Sequence, residues 1–281
     1  MYIETCELVR ALINKKVIPE QKVRPGNPGY SLISMTRLFA YAFLKGIRND
    51  KALIRHLKKN PDVVRRLGFE RIPHRTTIGR SRKKYSDVLK NVFERLSGMI
   101  QQMVETEKLI ADSTPLEDET DPDARVGFYS KGPFKGFKVH LSVNQEGIPL
   151  KAEVTPGNRH DCPMMPKLLT KSKFVLGDSG YDSKENRKLI KSMGAKPLIA
   201  RNRRRLKKRK WTPRMLKKFR YLVEQFNSIL KGTLQGCWMR FKGIEKKMSI
   251  VYSALISILL VTIKNMILDS KISRKVSEYW Y

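Results

Sequence analysis

Apolar positions along this chain change their period part-way through. In the first hundred residues they recur at helical spacing. Residues 2 to 16 read as an amphipathic helix, and 19 to 30, with Pro25, Gly26, Pro28 and Gly29, as a breaker-rich linker. Leu32, Met35, Leu38, Phe39, Ala42, Phe43 and Leu44 then predict a second helix ending near Gly46. Asn49 or Asp50 can cap a third with Leu53, Ile54 and Leu57, stopped by Asn60-Pro61. Val63, Val64 and Leu67 lead to Gly68. The phrase from Ile72 to Thr77 places hydroxyl caps ahead of a long helical pattern from Ile78 to about Glu105.

Short apolar runs take over after residue 105. Leu109-Ile110-Ala111 stops at Asp112, and the acidic, Gly- and Pro-containing stretch from Glu117 to Gly136 reads as a loop. Phe137–Val143 and Ile148–Val154 predict two strands joined by Asn144-Gln145-Glu146-Gly147, a hairpin signal. A polar turn from Thr155 to Asp161 and a helix over Pro163–Leu169 lead to Phe174-Val175-Leu176-Gly177, which stops at Asp178. A helix over 184 to 193 and a strand over 197 to 200 come next. Residues 201 to 220 hold twelve Lys and Arg and no acid, and from about Met215 the pattern is helical again, with Glu224 on that helix. A last helix, from about Glu245 to Leu268, offers apolar surface that a central sheet could bury. The order implies an α/β fold behind a small all-α domain. The expected divisions are 1–105, 106–270 and a tail, 271–281.

Charge narrows the class. The 281 residues include 58 Lys and Arg against 26 Asp and Glu, a net +32, and such an excess points to a polyanion, most commonly nucleic acid. Charge alone also fits a ribosomal-type RNA binder or a membrane-surface protein. Cys6, Cys162 and Cys237 are odd in number and show no paired spacing, so a reducing cytosol fits and a structural zinc site does not. Acidic Glu4 and Glu7 argue against a signal peptide. The apolar run Ile250–Ile263, interrupted by Ser253, Ser257 and Thr262, reads as a buried helix rather than a membrane span. Basic Arg80, Arg82, Lys83 and Lys84 fit either DNA contact or solvated surface.

Three acids occupy comparable places: Asp112 and Asp178 at strand ends, and Glu224 on a helix. Asp at a strand end also serves as an ordinary helix cap. If the strands are neighbours and the helix packs beside them, the carboxylates converge. Hard oxygen ligands without His or Cys clusters suit Mg²⁺ or Mn²⁺, and two such ions activate water for phosphodiester displacement.

These pieces together resemble the DDE transposases of prokaryotic insertion sequences, whose catalytic domain is an RNase H-like mixed sheet flanked by helices. The matching residues are Ile110–Thr114, Gly136–Leu141, Thr155–Asp161 and Gly177–Asp182. Arg220, Glu224 and Lys231 follow, resembling a Tyr-Arg-Glu-Lys signature in which Lys217 stands at the tyrosine position. The resemblance covers about residues 109 to 268, with a helical N-terminal domain of the kind that often precedes it.

The resemblance implies that Asp112, Asp178 and Glu224 are catalytic and hold two Mg²⁺ or Mn²⁺ ions. Water would cut at transposon ends, and the freed 3′-hydroxyl would attack target DNA. Arg220 and Lys231 can meet phosphate from the helix of Glu224, or remain solvated charges. The basic segment with Arg203, Arg204, Arg205, Lys207 and Lys208 would add DNA contacts. His160 and Asp161 fit either support of the site or an ordinary turn. The implied partner is DNA, with no membrane, a homodimer on DNA, and a cytoplasmic, nucleoid-associated location. A catalytically inactive DNA-binding derivative and a two-metal nuclease of the same fold fit the same residues.

Overall fold

The computed structural model describes residues 2–14, 17–18, 29–129, 132–201 and 212–268. The chain divides into two compact units, 1–96 with 230–281 and 97–229.

The first unit is helical. It holds α1 (Tyr2–Leu12), α2 (Leu32–Leu44), α3 (Asp50–Lys59), α4 (Pro61–Arg66), α5 (Arg75–Lys84) and the start of α6 (Ser86–Met103). Asn49 Oδ1 accepts the Ala52 amide at 2.7 Å, satisfying an amide that the first turn of α3 leaves orphaned. Asn60-Pro61 does end that helix. Pro61 also opens α4, where its missing N–H costs nothing. The single pattern expected from Ile78 to Glu105 is two helices, because Tyr85 leaves helical geometry (φ −109°, ψ 15°) and seats its ring in the core.

One basic residue of α5 turns inward. Arg82, 3% exposed, directs Nε and Nη2 at Asp50 Oδ1 (3.1 and 2.8 Å) and lies over the Phe39 and Phe241 rings. Its charge holds α5 on α3 and α2, so for this residue the choice between DNA contact and solvated surface is neither.

The last helix, α10 (Ile244–Leu268), belongs to this unit and packs with α1, α2 and α5. The expectation that it lines the sheet is corrected. Its serines make the helical packing close: Ser257 Oγ reaches Ala40 O of α2 at 3.1 Å, while Ser253 and Thr262 satisfy their hydroxyls on carbonyls one turn back. By length and composition Ile244–Ile267 could cross a membrane, being longer than its central apolar run, and 83% of its most apolar window is buried inside the protein.

The second unit is built on a mixed sheet of β1 (Lys108–Glu117), β2 (Arg125–Tyr129), β3 (Gly132–Val143), β4 (Pro149–Pro156), β5 (Phe174–Gly177) and β6 (Lys196–Ile199). β1 is central. It pairs antiparallel with β3 and parallel with β5, β4 lies antiparallel on β3, and β6 lies parallel on β5. Antiparallel β1, β3 and β4 followed by parallel β5 and β6 is the α/β arrangement expected from the RNase H-like resemblance, and β2 adds a further antiparallel strand on β3. Asn144 Oδ1 accepts the amides of Glu146 and Ile148 and so closes the β3–β4 turn.

The acidic loop expected from Glu117 to Gly136 contains β2, paired with the start of β3. Glycines make this possible. A Cβ at Gly127 would lie 2.0 Å from Gly157 O, and one at Gly136, where φ is +159°, would lie 2.2 Å from Leu116 O. The sheet's faces are distinct. Leu109, Ala111 and Val175 pack with Met165 and Leu168 of α7 (Met165–Leu168) and with Ile190 of α8 (Lys184–Ser192). By strand alternation Ile110, Leu176 and Asp112 point the other way, where α9 (Arg214–Leu234) supplies Asn227 to Asp112.

Candidate active site

Register brings the two strand acids together. The β1–β5 ladder ends at Ala111 opposite Gly177, so the next residue on each parallel strand is an aspartate. Neighbouring strands run roughly 4.8 Å apart, and in-register side chains share a face. Asn227 Nδ2 donates to Asp112 Oδ2 at 3.1 Å, and the Gly180 amide donates to Asp178 Oδ1 at 2.8 Å. One carboxylate is oriented from α9 and the other by its own turn.

Electrostatics follow from that pairing. Burial first, and the neighbouring Asp178 second, push the Asp112 acid up to about 7, while Arg220 pulls it back. Burial also raises Asp178, against the Gly180 amide and Arg220, which favour its charged form. Two desolvated carboxyls side by side cannot both ionise cheaply without a countercharge. Asn227 Oδ1, on the side chain that donates to Asp112, is buried without a hydrogen-bond partner beside this carboxyl pair. Such a pair of hard oxygen donors fits a divalent cation in charge and chemistry.

Glu224 stands apart from the pair. Arg220, Glu224 and Asn227 share one face of α9 at i, i+4 and i+7, yet the Glu224 carboxylate is exposed and accepts from Arg220 Nε at 2.9 Å. The expected cluster of three carboxylates is therefore not closed. Among the described residues no group of three or more His, Cys, Asp or Glu lies close enough to hold a metal ion. The physical reason is repulsion: without a cation, a third carboxylate is better placed on a guanidinium. Lys231 lies two turns further along α9, half-buried. Arg203, Arg204, Arg205, Lys207 and Lys208 lie outside the described residues.

On the opposite face of the sheet sits a buried polar group that sequence reasoning found only in part. Asp161 Oδ1 is 3.3 Å from Lys138 Nζ and 3.4 Å from His140 Nδ1, and His140 Nε2 meets Thr155 Oγ1 at 2.9 Å. Burial holds the His140 imidazole low, at about 4. Asp161 also borders the Asp178 turn, since a Cβ at Gly180 would lie 3.2 Å from Asp161 Oδ2 and 3.0 Å from Asp178 Oδ1. His160 is exposed. The missed signal was alternation: Lys138, His140 and Ser142 put polar groups on one face of a strand that is buried on both.

Residues 105–260 match the family model of the transposase DDE domain. The chain belongs to this transposase family. Ahead of that domain, residues 4–84 match a second family, the transposase domain DUF772. A curated relative, the transposase for insertion sequence element IS1106 of Neisseria meningitidis serogroup B, is 36% identical over 147 residues, covering 50% of each chain. The chain thus aligns with about half the length of that transposase. Among solved structures, the piggyBac transposase in a synaptic complex with hairpin DNA is similar over 99% of this chain and 79% of its own, at a TM-score of 0.45 and 11% identity.

Proposed function

We propose that the chain is a DNA transposase that cuts at the ends of an insertion sequence and transfers the freed 3′-hydroxyl to target DNA. The observation that carries this reading is the register of β1 on β5, which sets Asp112 beside Asp178 within a family-matched DDE domain. Asp112, Asp178 and, from α9, Glu224 would hold Mg²⁺ or Mn²⁺, which when bound supplies an activated water and neutralises the charge developing on the leaving oxygen.

The protein's own groups have separable tasks. Asn227 and the Gly180 amide hold the two aspartates in place, so little reorganisation is needed when phosphate arrives. Arg220 serves two roles in sequence. It first neutralises Glu224, and then, as DNA phosphate competes for the guanidinium, it contacts the strand and releases the carboxylate toward the aspartates. Lys231, and the basic segment with Arg203, Arg204, Arg205, Lys207 and Lys208, extend the phosphate contacts. Asp161, with Lys138 and His140 behind it, supports the Asp178 turn. Two ends joined in one reaction call for a homodimer on DNA, acting at the nucleoid.

The test is incubation of the full chain with duplexes carrying the element's ends, a target plasmid and Mg²⁺ or Mn²⁺. The reading expects nicks at the ends and covalent joining of their 3′ termini to the plasmid. Cutting without joining would make it a nuclease, and binding without either an inactive derivative.

A further inference from the structure

We infer that a groove in the helical unit, between α5 and the connection that precedes it, is a binding site for the phosphate backbone of duplex DNA. This rests on the reading of the chain as a DNA-acting protein and assigns a second contact surface within the first unit. The groove has a volume of about 1010 Å³ and lies entirely among residues 29 to 85.

Its two walls differ in origin, and each contributes cations. Thr77, Arg80, Ser81 and Lys84 line one side, a stripe at helical spacing along α5. The connection from Gly68 to Ile72 forms the other and contributes Arg71, while Tyr30 and Phe69 stack edge-on at 5.7 Å between centroids. The three cations of the groove, Arg71, Arg80 and Lys84, make no ion pair with a carboxylate among the described residues, and Arg71, Arg80 and Lys84 are exposed.

Their neighbours on the same helix show that this is selective. Arg82 is buried against Asp50, and Lys83 lies 3.7 Å from Glu245. Of the five basic residues of α5, Arg82 and Lys83 have acidic partners, Arg75 is not in the groove lining, and the two that line it, Arg80 and Lys84, make no carboxylate pair among the described residues. Glu70 is the one acid in the lining, against three permanent cations. Hydroxyls of Thr77 and Ser81 beside guanidinium and ammonium groups provide donors and no competing acceptor charge, the chemistry that positions a phosphodiester backbone rather than reads bases. The aromatic pair sets a wall for sugar or methylene surface. A groove open to solvent whose three cations have no carboxylate partner among the described residues, Lys84 lying 5.2 Å over the Tyr85 ring, favours a polyanion over an apolar peptide.

The experiment measures binding of the full chain to a short duplex across a range of salt concentrations. Each phosphate contact contributes roughly 0.9 to the slope of log affinity against log salt. The triple variant Arg71→Ala, Arg80→Ala, Lys84→Ala should lose about 2 to 3 from the slope by that measure, while Arg71→Lys with Arg80→Lys retains it. Glu70→Gln should bind DNA more tightly than the parent, a gain that loss of folding cannot mimic. If the triple variant melts early, Lys84→Gln alone should reduce the slope by about 0.9. A parent that binds steeply, with the triple and Glu70 variants indistinguishable from it, overturns the groove and leaves the catalytic reading intact. A parent without salt-dependent DNA binding overturns both. Mg²⁺-dependent cleavage by the triple variant at low salt, together with a reduced slope, separates the groove from the aspartate site.

Discussion

The acids that carry the proposed chemistry arrive by two routes. Asp178 follows the end of β5, and Asp112, expected at a strand end, lies midway along β1, just past the end of its parallel ladder with β5. That ladder fixes their spacing and a hydrogen bond fixes each carboxylate. Glu224 arrives on a helix, exposed, with its carboxylate on Arg220. Strand-borne acids are preset at the cost of burial, which raises both Asp112 and Asp178, with Asp178 raising Asp112 further and Asp161 raising Asp178. The helix-borne acid avoids that repulsion and remains adjustable. The difference teaches that two of the three acids are fixed by backbone geometry while the third is held by a single ion pair; in the proposed reading that pair is what phosphate would open.

The sheet that carries the fixed pair is the place where a small change should do most damage, even at its β2 edge. Gly127→Ala forces a methyl group against Gly157 O, where an ideal Cβ would lie at 2.0 Å, and should cost about 3 kcal/mol of stability in a denaturant titration. A variant that melts with the parent would show that this strand crossing yields easily. Side-chain length probes the contrast directly. Asp178→Glu, on the fixed strand, should lower cleavage roughly a hundredfold, whereas Glu224→Asp, on the adjustable helix, should lower it only about tenfold. Equal losses would erase the distinction.

The smallest expected effect concerns pH. Burial lowers His140 from its usual 6.5 to about 4, so the folded protein keeps the imidazole neutral. A depressed histidine contributes stability that is complete above about 6.5 and is lost as pH falls through that value toward about 4, because the unfolded chain gains the proton first. His140→Gln should therefore lose less melting temperature between pH 7.5 and pH 5 than the parent does. An identical decline in both proteins would place the titrating group elsewhere.

Much of this contrast was legible in residue order. Short apolar runs stopping at Asp112 and Asp178, the Asn144 to Gly147 turn and the amphipathic helix of Glu224 are local signals, and local signals survive folding. Strand β2 was not legible, since Arg125–Tyr129 is an edge strand with Val126 and Phe128 exposed, so its period carries no burial. The packing of α10 with the helical unit was hidden for a different reason. An apolar helix records that it is buried but not against what; its packing with α1, α2 and α5, including the Ser257 contact to Ala40, is a property of the fold. Pairing of Glu224 with Arg220 was visible as an i, i+4 spacing, but its competition with the aspartates is a property of three dimensions.

The central claim is that Asp112 and Asp178 act as one unit in DNA cleavage. Its most direct test compares the parent with Asp178→Asn on end-bearing DNA in Mg²⁺, with duplex binding and thermal melting measured alongside. The account expects cleavage to fall at least about a thousandfold, some 4 kcal/mol of barrier, while binding and melting are retained. Cleavage by Asp178→Asn at the rate of the parent would contradict it.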